Sequence, residues 1–335
     1  MRAFVTGIAG FGGNYLAKLL VEKGIEVYGI SQEQEFKPFL PLHLSAVHYV
    51  ALDIRDQLKL SEVLSDVRPD LVFHLAAKSS PSQSTRHPGE TYDINFSGTV
   101  VILEAMRLQM SRCPFLLVSS SHVYGGGTAG GPVSEDSALR PETPYAASKA
   151  AAEMAAYQYW KGYGLKTVRV RAFNHTGPGQ RPGFVCPDLA RQVVEIERGW
   201  RPPRLEIADP DRHVDFSDVR DMVQGYHNAL TLGLPGDVYN LCSGSGITVQ
   251  SLAGSLAAKA HAEVQVVPIA PSVPPEASGS LIGDGSRASR DIKWNPSIPF
   301  QQTLDDVLEY WRRQDWAPSH SNSSVSGRRT PVLLR

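Results

Sequence analysis

The residues best suited to chemistry in this sequence are Tyr145 and Lys149, which stand four positions apart at the start of an alanine-rich stretch. Four residues make about one helical turn, so both side chains are expected on one face of a helix. A phenol ordinarily loses its proton near pH ~10, and a neighbouring ammonium group stabilises the phenolate. The pair is therefore predicted to move a proton near neutral pH. Taken alone, the spacing is more typical of a packed tyrosine beside a solvated lysine.

A run of hydroxyl groups precedes this pair in the chain. Ser119-Ser120-Ser121 ends the apolar stretch Phe115–Val118, which predicts a buried strand. A serine hydroxyl at the end of such a strand can hold a substrate carbonyl beside the tyrosine.

The chemistry indicated by the start of the chain is the binding of a dinucleotide. Ala3–Val5 predicts a short buried strand, and the apolar positions from Tyr15 to Leu20 recur with a helical period. Between these segments, Gly7 allows a tight turn, Gly10 lets the backbone approach a pyrophosphate, and Gly13 lets the helix pack closely on the strand. The N-terminus of the helix would then face the phosphates with N–H groups that have no partner within the helix.

Length, charge and cysteine usage narrow the class of protein. The chain has 335 residues, which suits one large or two coupled domains, and a net charge of -1 gives no reason to expect nucleic acid or an anionic membrane as partner. The cysteines Cys113, Cys186 and Cys242 form neither a metal-ligand spacing nor a disulfide framework. No apolar run approaches the roughly 20 residues of a membrane span, and a strand begins almost at Met1. We expect a cytoplasmic protein without a metal site.

Short apolar strands alternate with helical patterns through the first half of the chain. After the first strand, further strands are expected at residues 26–30, 47–50, 71–75 and 115–120. Such alternation predicts an α/β fold with a doubly wound parallel sheet, the Rossmann arrangement, and helices on both faces. Ligands bind such sheets at the carboxyl ends of the strands.

The regular alternation of strand and helix patterns ends after Arg171, and this change predicts two regions. We expect residues 1–172 to form the dinucleotide-binding Rossmann domain, with residues 214–242 returning to its sheet. Residues 173–213 and 243–316 are expected to form a smaller, discontinuous C-terminal substrate region that covers the cofactor cleft. Residues 317–335 are rich in serine and arginine without periodicity and are expected to be a disordered tail.

Several motifs, in this order, resemble those of the extended short-chain dehydrogenase/reductases, the NAD-dependent epimerase/dehydratase family. They are Thr6-Gly7-x-x-Gly10-x-x-Gly13, Asp53-Ile54, His74-Leu75-Ala76-Ala77, Asn95-x-x-Gly98-Thr99, Ser119-Ser120-Ser121-x-Val123-Tyr124-Gly125 and Tyr145-x-x-x-Lys149. The resemblance implies NAD(H) or NADP(H) as cofactor. It also implies that Ser120, Tyr145 and Lys149 are catalytic, Ser120 being chosen because it lies four residues before Tyr124.

The same resemblance assigns a set of residues to the cofactor. Glycines of the first turn would cradle the pyrophosphate, and Asp53 and Ile54 would flank the adenine. The cofactor-binding residues implied in full are Gly7, Gly10, Phe11, Gly13, Ser31, Asp53, Ile54, Leu75, Ala76, Ala77, Lys78, Asn95, Tyr145 and Lys149.

A narrower resemblance, to the GDP-4-dehydro-6-deoxy-D-mannose reductases, comes from four later segments. They are residues 171–180, 183–192, 215–221 and 238–244. This likeness implies an oxidoreductase that reduces a 4-keto nucleotide sugar, with GDP as the nucleotide, to GDP-D-rhamnose. The substrate-binding residues that it implies are Ser79, Ser80, His122, Asn174, Phe184, Arg191 and Arg212.

Two departures from that narrower family concern the phosphates of the nucleotide. Val214 stands where the family often has an arginine before its Asp-Phe pair, and Arg212 lies two residues earlier. A loop arginine that contacts phosphates in the family is missing from residues 270–276. Diphosphates favour the planar fork of arginine, so Arg191, Arg212 and Arg287 are candidates for this role.

Two alternative functions remain open on the sequence. An epimerase or dehydratase of the same family would recycle its own NAD with the same serine, tyrosine and lysine. A regulator that binds the cofactor without turnover would be expected to lose the tyrosine or the lysine, and both are present. Related dehydratases place a glutamate two residues after the catalytic Ser or Thr, where this chain has His122. We therefore expect no dehydration of GDP-mannose, although a neutral histidine can act as a base.

The segment after the second strand bears on the choice of cofactor. A 2′-phosphate usually requires an arginine, and Ser31-Gln32-Glu33 contains none. The carboxylate of Glu33 would instead suit ribose hydroxyls. We expect NADH to be used at least as well as NADPH.

Two helices predict the assembly of the protein. In the resembled superfamily, the helices that begin near Asn95 and Tyr145 typically pair across a two-fold axis, and we expect a homodimer on that basis. The apolar positions expected at this contact are Val100, Leu103, Ala150, Ala152 and Ala155.

Overall fold

The computed structural model describes residues 1–40, 42, 44–79, 81–126, 131–270 and 281–316. Ser80 and the predicted tail, residues 317–335, lie outside these ranges. Within them, none of the helices is both long enough and apolar enough to cross a membrane.

The strands form one large sheet and two small ones. They are β1 (Arg2–Thr6), β2 (Glu26–Ser31), β3 (Val47–Ala51), β4 (Leu71–His74), β5 (Phe115–Ser120), β6 (Thr167–Ala172), β7 (Asn174–Thr176), β8 (Arg204–Ile207), β9 (His213–Asp218), β10 (Val238–Leu241), β11 (Gly246–Thr248) and β12 (Gln265–Pro268). The large sheet has seven strands in the order β3-β2-β1-β4-β5-β6-β10, all parallel.

The helices lie partly on both faces of the large sheet and partly in a smaller region of the chain. They are α1 (Phe11–Glu22), α2 (Gln57–Val67), α3 (Pro81–Arg86), α4 (Pro88–Tyr92), α5 (Gly98–Gln109), α6 (Pro144–Tyr163), α7 (Val185–Glu197), α8 (Val219–Leu232), α9 (Val249–Ala258), α10 (Ser286–Ile292) and α11 (Phe300–Arg313). Val5 and Phe73 face a layer formed with α1, α8 and α10, whereas Phe4 and Val72 face a layer formed with α2, α5 and α6. This alternation follows from the two-residue period of a strand. The predicted doubly wound parallel sheet is confirmed.

The residues that follow β6 build a smaller region with its own apolar core. Strands β11, β9 and β7 form one small sheet in that order, and β12 pairs in parallel with β8. Helices α7, α9 and α11 pack together through residues such as Leu189, Leu252 and Leu308.

The expected return of residues 214–242 to the large sheet differs in part from the structure. Strand β9 does not join that sheet, because β7 continues the chain beyond β6 and offers a nearer edge, where Asn174 pairs with Phe216. The return is made by α8, which packs on the sheet, and by β10, which pairs with β6.

Two aspartates in the segment 215–221 form hydrogen bonds that attach later loops of the chain to β9 and α8. The buried carboxylate of Asp215 accepts hydrogen bonds from the backbone N–H groups of Ser243 (2.8 Å) and Gly283 (3.1 Å). Asp221, in α8, accepts one from the backbone N–H of Ser297 at 2.9 Å. A segment that resembles a family motif therefore has a structural use, because it satisfies loop N–H groups that would otherwise be left buried without partners.

The turn between β1 and α1 requires glycine at two positions. Gly7 has a φ of +74°, and a Cβ atom there would lie 2.8 Å from the backbone nitrogen of Ala76. A Cβ atom on Gly13 would collide with the carbonyl oxygen of Gly7 and lie 2.7 Å from the Cα atom of Ile8. The absence of these side chains lets the start of α1 approach both β1 and the segment that follows β4.

We predict that Gly13→Ala lowers the free energy of unfolding by at least about 2 kcal/mol, because a methyl group must displace backbone atoms. Gly12→Ala is the matched control, since its Cβ atom would meet only the side chain of Leu75, at 3.6 Å. In a helix this control change should be neutral or stabilising, by up to about 1 kcal/mol. Urea unfolding of the two variants measures the difference, and equal stabilities would contradict the packing argument.

Candidate active site

A cleft of about 610 Å³ opens where the strands of the large sheet end. Its walls contain residues that follow β1, β2, β4, β5 and β6, as expected for ligands of a doubly wound sheet. Of the predicted cofactor-binding residues, those that line it are Gly7, Gly10, Phe11, Gly13, Ser31, Ile54, Leu75, Ala76, Ala77, Lys78, Tyr145 and Lys149. Of the other predicted residues, it is lined by Ser79, Ser120, His122, Asn174, Phe184 and Arg212.

The three predicted catalytic residues come together in this cleft from two elements. Ser120 ends β5, while Tyr145 and Lys149 occupy the first turns of α6. The helix begins there because the Thr143 hydroxyl accepts a hydrogen bond from the backbone N–H of residue 146 at 3.1 Å, and Pro144 suits the first helical position. The Lys149 ammonium donates to the carbonyl oxygen of Val118 at 2.8 Å. A hydrogen bond links the side chains of Ser120 and Tyr145.

Burial dominates the proton affinities of this group. It raises the pKa of Tyr145, and the hydrogen bond with Ser120 only partly opposes that rise. Burial also lowers the pKa of Lys149 to about 8, against the charge of Glu153, which raises it. The sequence suggested that the ammonium would favour a phenolate. In the ligand-free protein the tyrosine instead keeps its proton at neutral pH, because desolvation penalises the phenolate.

A buried chain of hydrogen bonds lies beneath the cleft. The Thr99 hydroxyl donates to the carbonyl oxygen of Asn95 (2.6 Å), so it accepts from Nε2 of His74 (2.9 Å). Nδ1 of His74 then accepts from the Thr6 hydroxyl (2.7 Å), which itself accepts from the backbone N–H of Ala76 (3.1 Å). Burial lowers the pKa of His74 to about 3, so the ring is neutral and one tautomer satisfies both neighbours.

Asn95 continues this chain instead of lining the cleft, which departs from its predicted cofactor contact. Its amide oxygen accepts from the backbone N–H of Lys78 (2.7 Å), and its amide nitrogen donates to the Ser148 hydroxyl (2.9 Å). Ser148 in turn donates to the carbonyl oxygen of Tyr145 at 2.7 Å. The amide is fully engaged with protein groups, so Asn95 positions the cleft wall and helix α6.

Asp53 also stands back from the cleft, while its neighbour Ile54 lines it. The Asp53 carboxylate accepts from Arg55 (2.7 Å) and from Gln32 (2.8 Å), and these contacts lower its pKa to about 2. Arg55 is engaged with this carboxylate. The expectation that NADH is used at least as well as NADPH stays a prediction, and Glu33 lies in the cleft wall.

Among the predicted substrate residues, His122 contacts Tyr145, and Arg212 lies near enough to His122 for its charge to act on it. The His122 ring meets the Tyr145 ring edge-on at 6.0 Å between centroids. Burial and the charge of Arg212 lower the pKa of His122, so it is neutral at pH 7. Nε of Arg212 is buried without a hydrogen-bond partner among the described residues, and its ion pair with Asp209 is long, at 3.7 Å.

The other two candidate arginines are engaged elsewhere, which corrects the expectation for both. Arg191 pairs with Glu195 (3.2 Å) and lies over the ring of Trp316 (5.4 Å), outside the cleft wall. Arg287 pairs with Asp136 at 2.8 Å. These cations are satisfied by the carboxylate of Glu195, four residues from Arg191, and by the more distant Trp316 ring and Asp136 carboxylate. Arg212 is thus the one of the three that lines the cleft, and Ser80 lies outside the described residues.

Strand β7 and the loop after it contribute cleft residues that sequence reasoning missed. The His175 ring stacks on Phe11, with centroids 6.2 Å apart, and its Nδ1 donates to the carbonyl oxygen of Phe173 at 2.9 Å. Gln180 and Arg181 also line the cleft. The segment 171–180, whose family resemblance predicts Asn174 as a substrate residue, also contains His175 and Gln180.

The chain matches known proteins over nearly its whole length. Its residues 4–307 match the sequence profile of the family described as GDP-mannose 4,6 dehydratase. It is 32% identical to the GDP-6-deoxy-D-mannose reductase of Pseudomonas aeruginosa, over 92% of this chain and 97% of that protein. Its fold is similar to that of RMD from Pseudomonas aeruginosa complexed with NADPH (32% identity, TM-score 0.79, 93% and 98% of the two chains).

A more distant structure shares the fold and carries the other form of the cofactor. The UDP-glucose 4-epimerase of Thermus thermophilus in complex with NAD is 27% identical, with a TM-score of 0.83 over 93% of this chain and 99% of that one. These comparisons confirm the predicted enzyme class, an NAD(P)-dependent oxidoreductase of the extended short-chain type. The chain belongs to the GDP-mannose 4,6 dehydratase family.

Proposed function

We propose that this protein is a sugar-nucleotide ketoreductase that converts GDP-4-dehydro-6-deoxy-D-mannose to GDP-D-rhamnose with NADH or NADPH. The observation that carries the proposal is the make-up of the cleft around Tyr145. Among the described residues that line it, Glu33 at the end of β2 is the only carboxylate. A dehydratase must remove a proton from C5 of the sugar, whereas a reductase needs only a proton donor, which the protonated Tyr145 supplies.

The cofactor half of the cleft fits a dinucleotide. A side chain on Gly7 or Gly13 would fill the space beside the turn. Helix α1 starts without a side-chain cap, so its first N–H groups are available to a pyrophosphate. Ile54 would lie against the adenine, and Ser31 and Glu33 would meet the ribose. When bound, the reduced nicotinamide supplies a hydride to the sugar carbonyl.

The residues of this chain would handle the proton and the charge. Ser120 would donate a hydrogen bond to the ketone oxygen, and Tyr145 would transfer its phenolic proton to that oxygen as the alcohol forms. The Lys149 ammonium would stabilise the phenolate left behind. Neutral His122 would contact the sugar hydroxyls, and Arg212 would meet the diphosphate, for which its unpartnered Nε suits it.

We also propose a cytoplasmic location and a homodimer. The three cysteines are free and buried, as is usual in a reducing compartment. Leu103 and Ala152 pack into the core of their own chain, so they cannot form the contact expected from the sequence. Other apolar side chains are exposed instead: Leu108 on α5, Met154, Tyr157 and Tyr163 on α6, and Phe96 two residues before α5 begins.

The proposed reaction is tested by supplying GDP-4-dehydro-6-deoxy-D-mannose with NADH or NADPH and following the loss of reduced-cofactor absorbance. We expect oxidation of the cofactor and GDP-D-rhamnose as product. A parallel reaction with GDP-mannose and NAD should yield no 4-keto-6-deoxy sugar by mass spectrometry, because none of the described residues that line the cleft near Tyr145 is a carboxylate. Formation of that dehydration product would reject the reductase assignment and make His122 the residue to mutate next.

Tyr145→Phe should lower kcat by at least the ~10²-fold that general acid catalysis contributes, since the proton donor is lost. Cofactor affinity, measured by fluorescence titration, should be nearly unchanged. Tyr159→Phe provides the same chemical change on the same helix, at a hydroxyl that bonds Glu104 at 3.0 Å, and should leave turnover close to normal. Near-normal turnover of Tyr145→Phe would remove this residue from the mechanism.

Light scattering at micromolar concentration should give the mass of a dimer for the native chain. Met154→Glu should shift it toward the monomer, because a charge would be buried on the apolar face. Leu232→Glu, at a side chain that is 52% exposed on α8, should stay dimeric. A monomeric native chain, or a dimer that withstands the Met154 change, would refute this contact.

A further inference from the structure

A buried ion pair joins helix α6 to strand β6 directly below the cleft. The Arg171 guanidinium contacts both carboxylate oxygens of Glu153, at 2.9 to 3.2 Å. The exposed fractions of the two side chains are 5% and 0%. Because the pair is removed from water, solvent screens its charges much less than those of a surface pair.

The arginine of this pair is held rigidly by other groups. Arg171 donates to the hydroxyl of Tyr124 (2.8 Å) and to the carbonyl oxygen of Glu135 (3.0 Å). The Tyr124 hydroxyl donates onward to the side-chain oxygen of Asn240 at 2.7 Å. Lys149 lies one helical turn before Glu153 on α6, and its side chain is also buried.

Lys149 therefore shares one face of α6 with a buried negative charge, that of Glu153, which is paired with Arg171. The titratable groups around it are Tyr145 and Glu153 on its own helix, His74 from β4 and Arg171 from β6. His74 is neutral and Tyr145 is protonated, so neither offsets the cost of burying an ammonium. The carboxylate of Glu153 is the group that opposes this cost.

We propose that Glu153 is a positioning residue that keeps Lys149 in its ammonium form at the pH at which the enzyme works. The inference rests on the proposed function, since it concerns proton transfer at Tyr145. Neutralising Glu153 removes an attraction for the ammonium group, which favours loss of the Lys149 proton.

The test is a pH titration of Lys149 in the full-length protein carrying lysine labelled with ¹³C at Cε, followed by NMR. The Lys149 signal is assigned by its absence from Lys149→Met. We expect Glu153→Gln to move the Lys149 midpoint at least about one pH unit lower than in the native chain, where burial already brings the pKa to about 8. Glu104→Gln, on α5, removes a carboxylate that pairs with Arg107 and should leave the midpoint in place.

A second readout is the pH profile of kcat for the keto sugar. Activity that needs the ammonium is lost as pH rises through the pKa of Lys149, so Glu153→Gln should lose activity at lower pH than the native enzyme. The NMR titration does not require turnover, so it tests the inference even where the proposed substrate is not reduced. Failure of the native chain to reduce the keto sugar would count against the proposed function alone.

Glu153→Asp separates charge from packing. It shortens the side chain but keeps the carboxylate, so the Lys149 midpoint should stay within about half a pH unit of the native value if charge is the cause. A folded Glu153→Gln protein with an unchanged midpoint would overturn the proposal. Where Glu153→Gln does not fold, a full-unit downward shift in Glu153→Asp would overturn it.

Discussion

The active site depends on one directional chain of buried, uncharged hydrogen bonds. It runs from Thr6 at the glycine turn through His74 and Thr99 to Asn95, and from the Asn95 side chain to Ser148 on helix α6. Every donor in this chain has one acceptor. The neutral His74 ring takes part through both nitrogens, because Nδ1 accepts one hydrogen bond and Nε2 donates the next. A buried polar chain that is fully satisfied is rigid, since any slippage leaves a group without a partner. The turn that would hold the cofactor and the helix that carries Tyr145 are thereby fixed to each other.

Burial of Tyr145 and Lys149 shifts the pKa values on which proton transfer in the cleft depends. Tyr145 and Lys149 are shifted toward their uncharged forms by the same loss of solvent, and the shifts have different consequences. A tyrosine that holds its proton is ready to donate it, which suits reduction of a ketone. A lysine with a pKa near 8 sits close to the point at which its charge is lost, so the electrostatics of the surrounding core matter to it. Glu153, paired with Arg171, is the charged group of that core that raises the pKa of Lys149.

Local patterns in the sequence predicted the fold and the centre of the site, while long-range partners decided the rest. Gly7 and Gly13 were predictable because a close approach of backbone to backbone demands glycine whatever surrounds it. Tyr145 and Lys149 were predictable because four residues always bring two side chains to one face of a helix. The place of Arg191 was not, since a cation in the sequence suits a phosphate as well as it suits the carboxylate of Glu195, four residues later, and the distant ring of Trp316. Strand β9 was assigned to the wrong sheet for the same reason, because its pattern specifies a strand and not its neighbour.

The pairing of β10 with β6 has a consequence for how the chain reaches its folded state. Strands β1 to β6 leave the ribosome first, and β6 remains an open edge of the sheet until residues 173–237 have also been made. Asn240, on β10, accepts the hydrogen bond from Tyr124 that braces Arg171. One short strand, synthesised late, therefore takes the place of β6 as the edge of the sheet and completes the support beneath the active site. Nascent chains halted before β10 would leave β6 as an open edge and Arg171 without this brace.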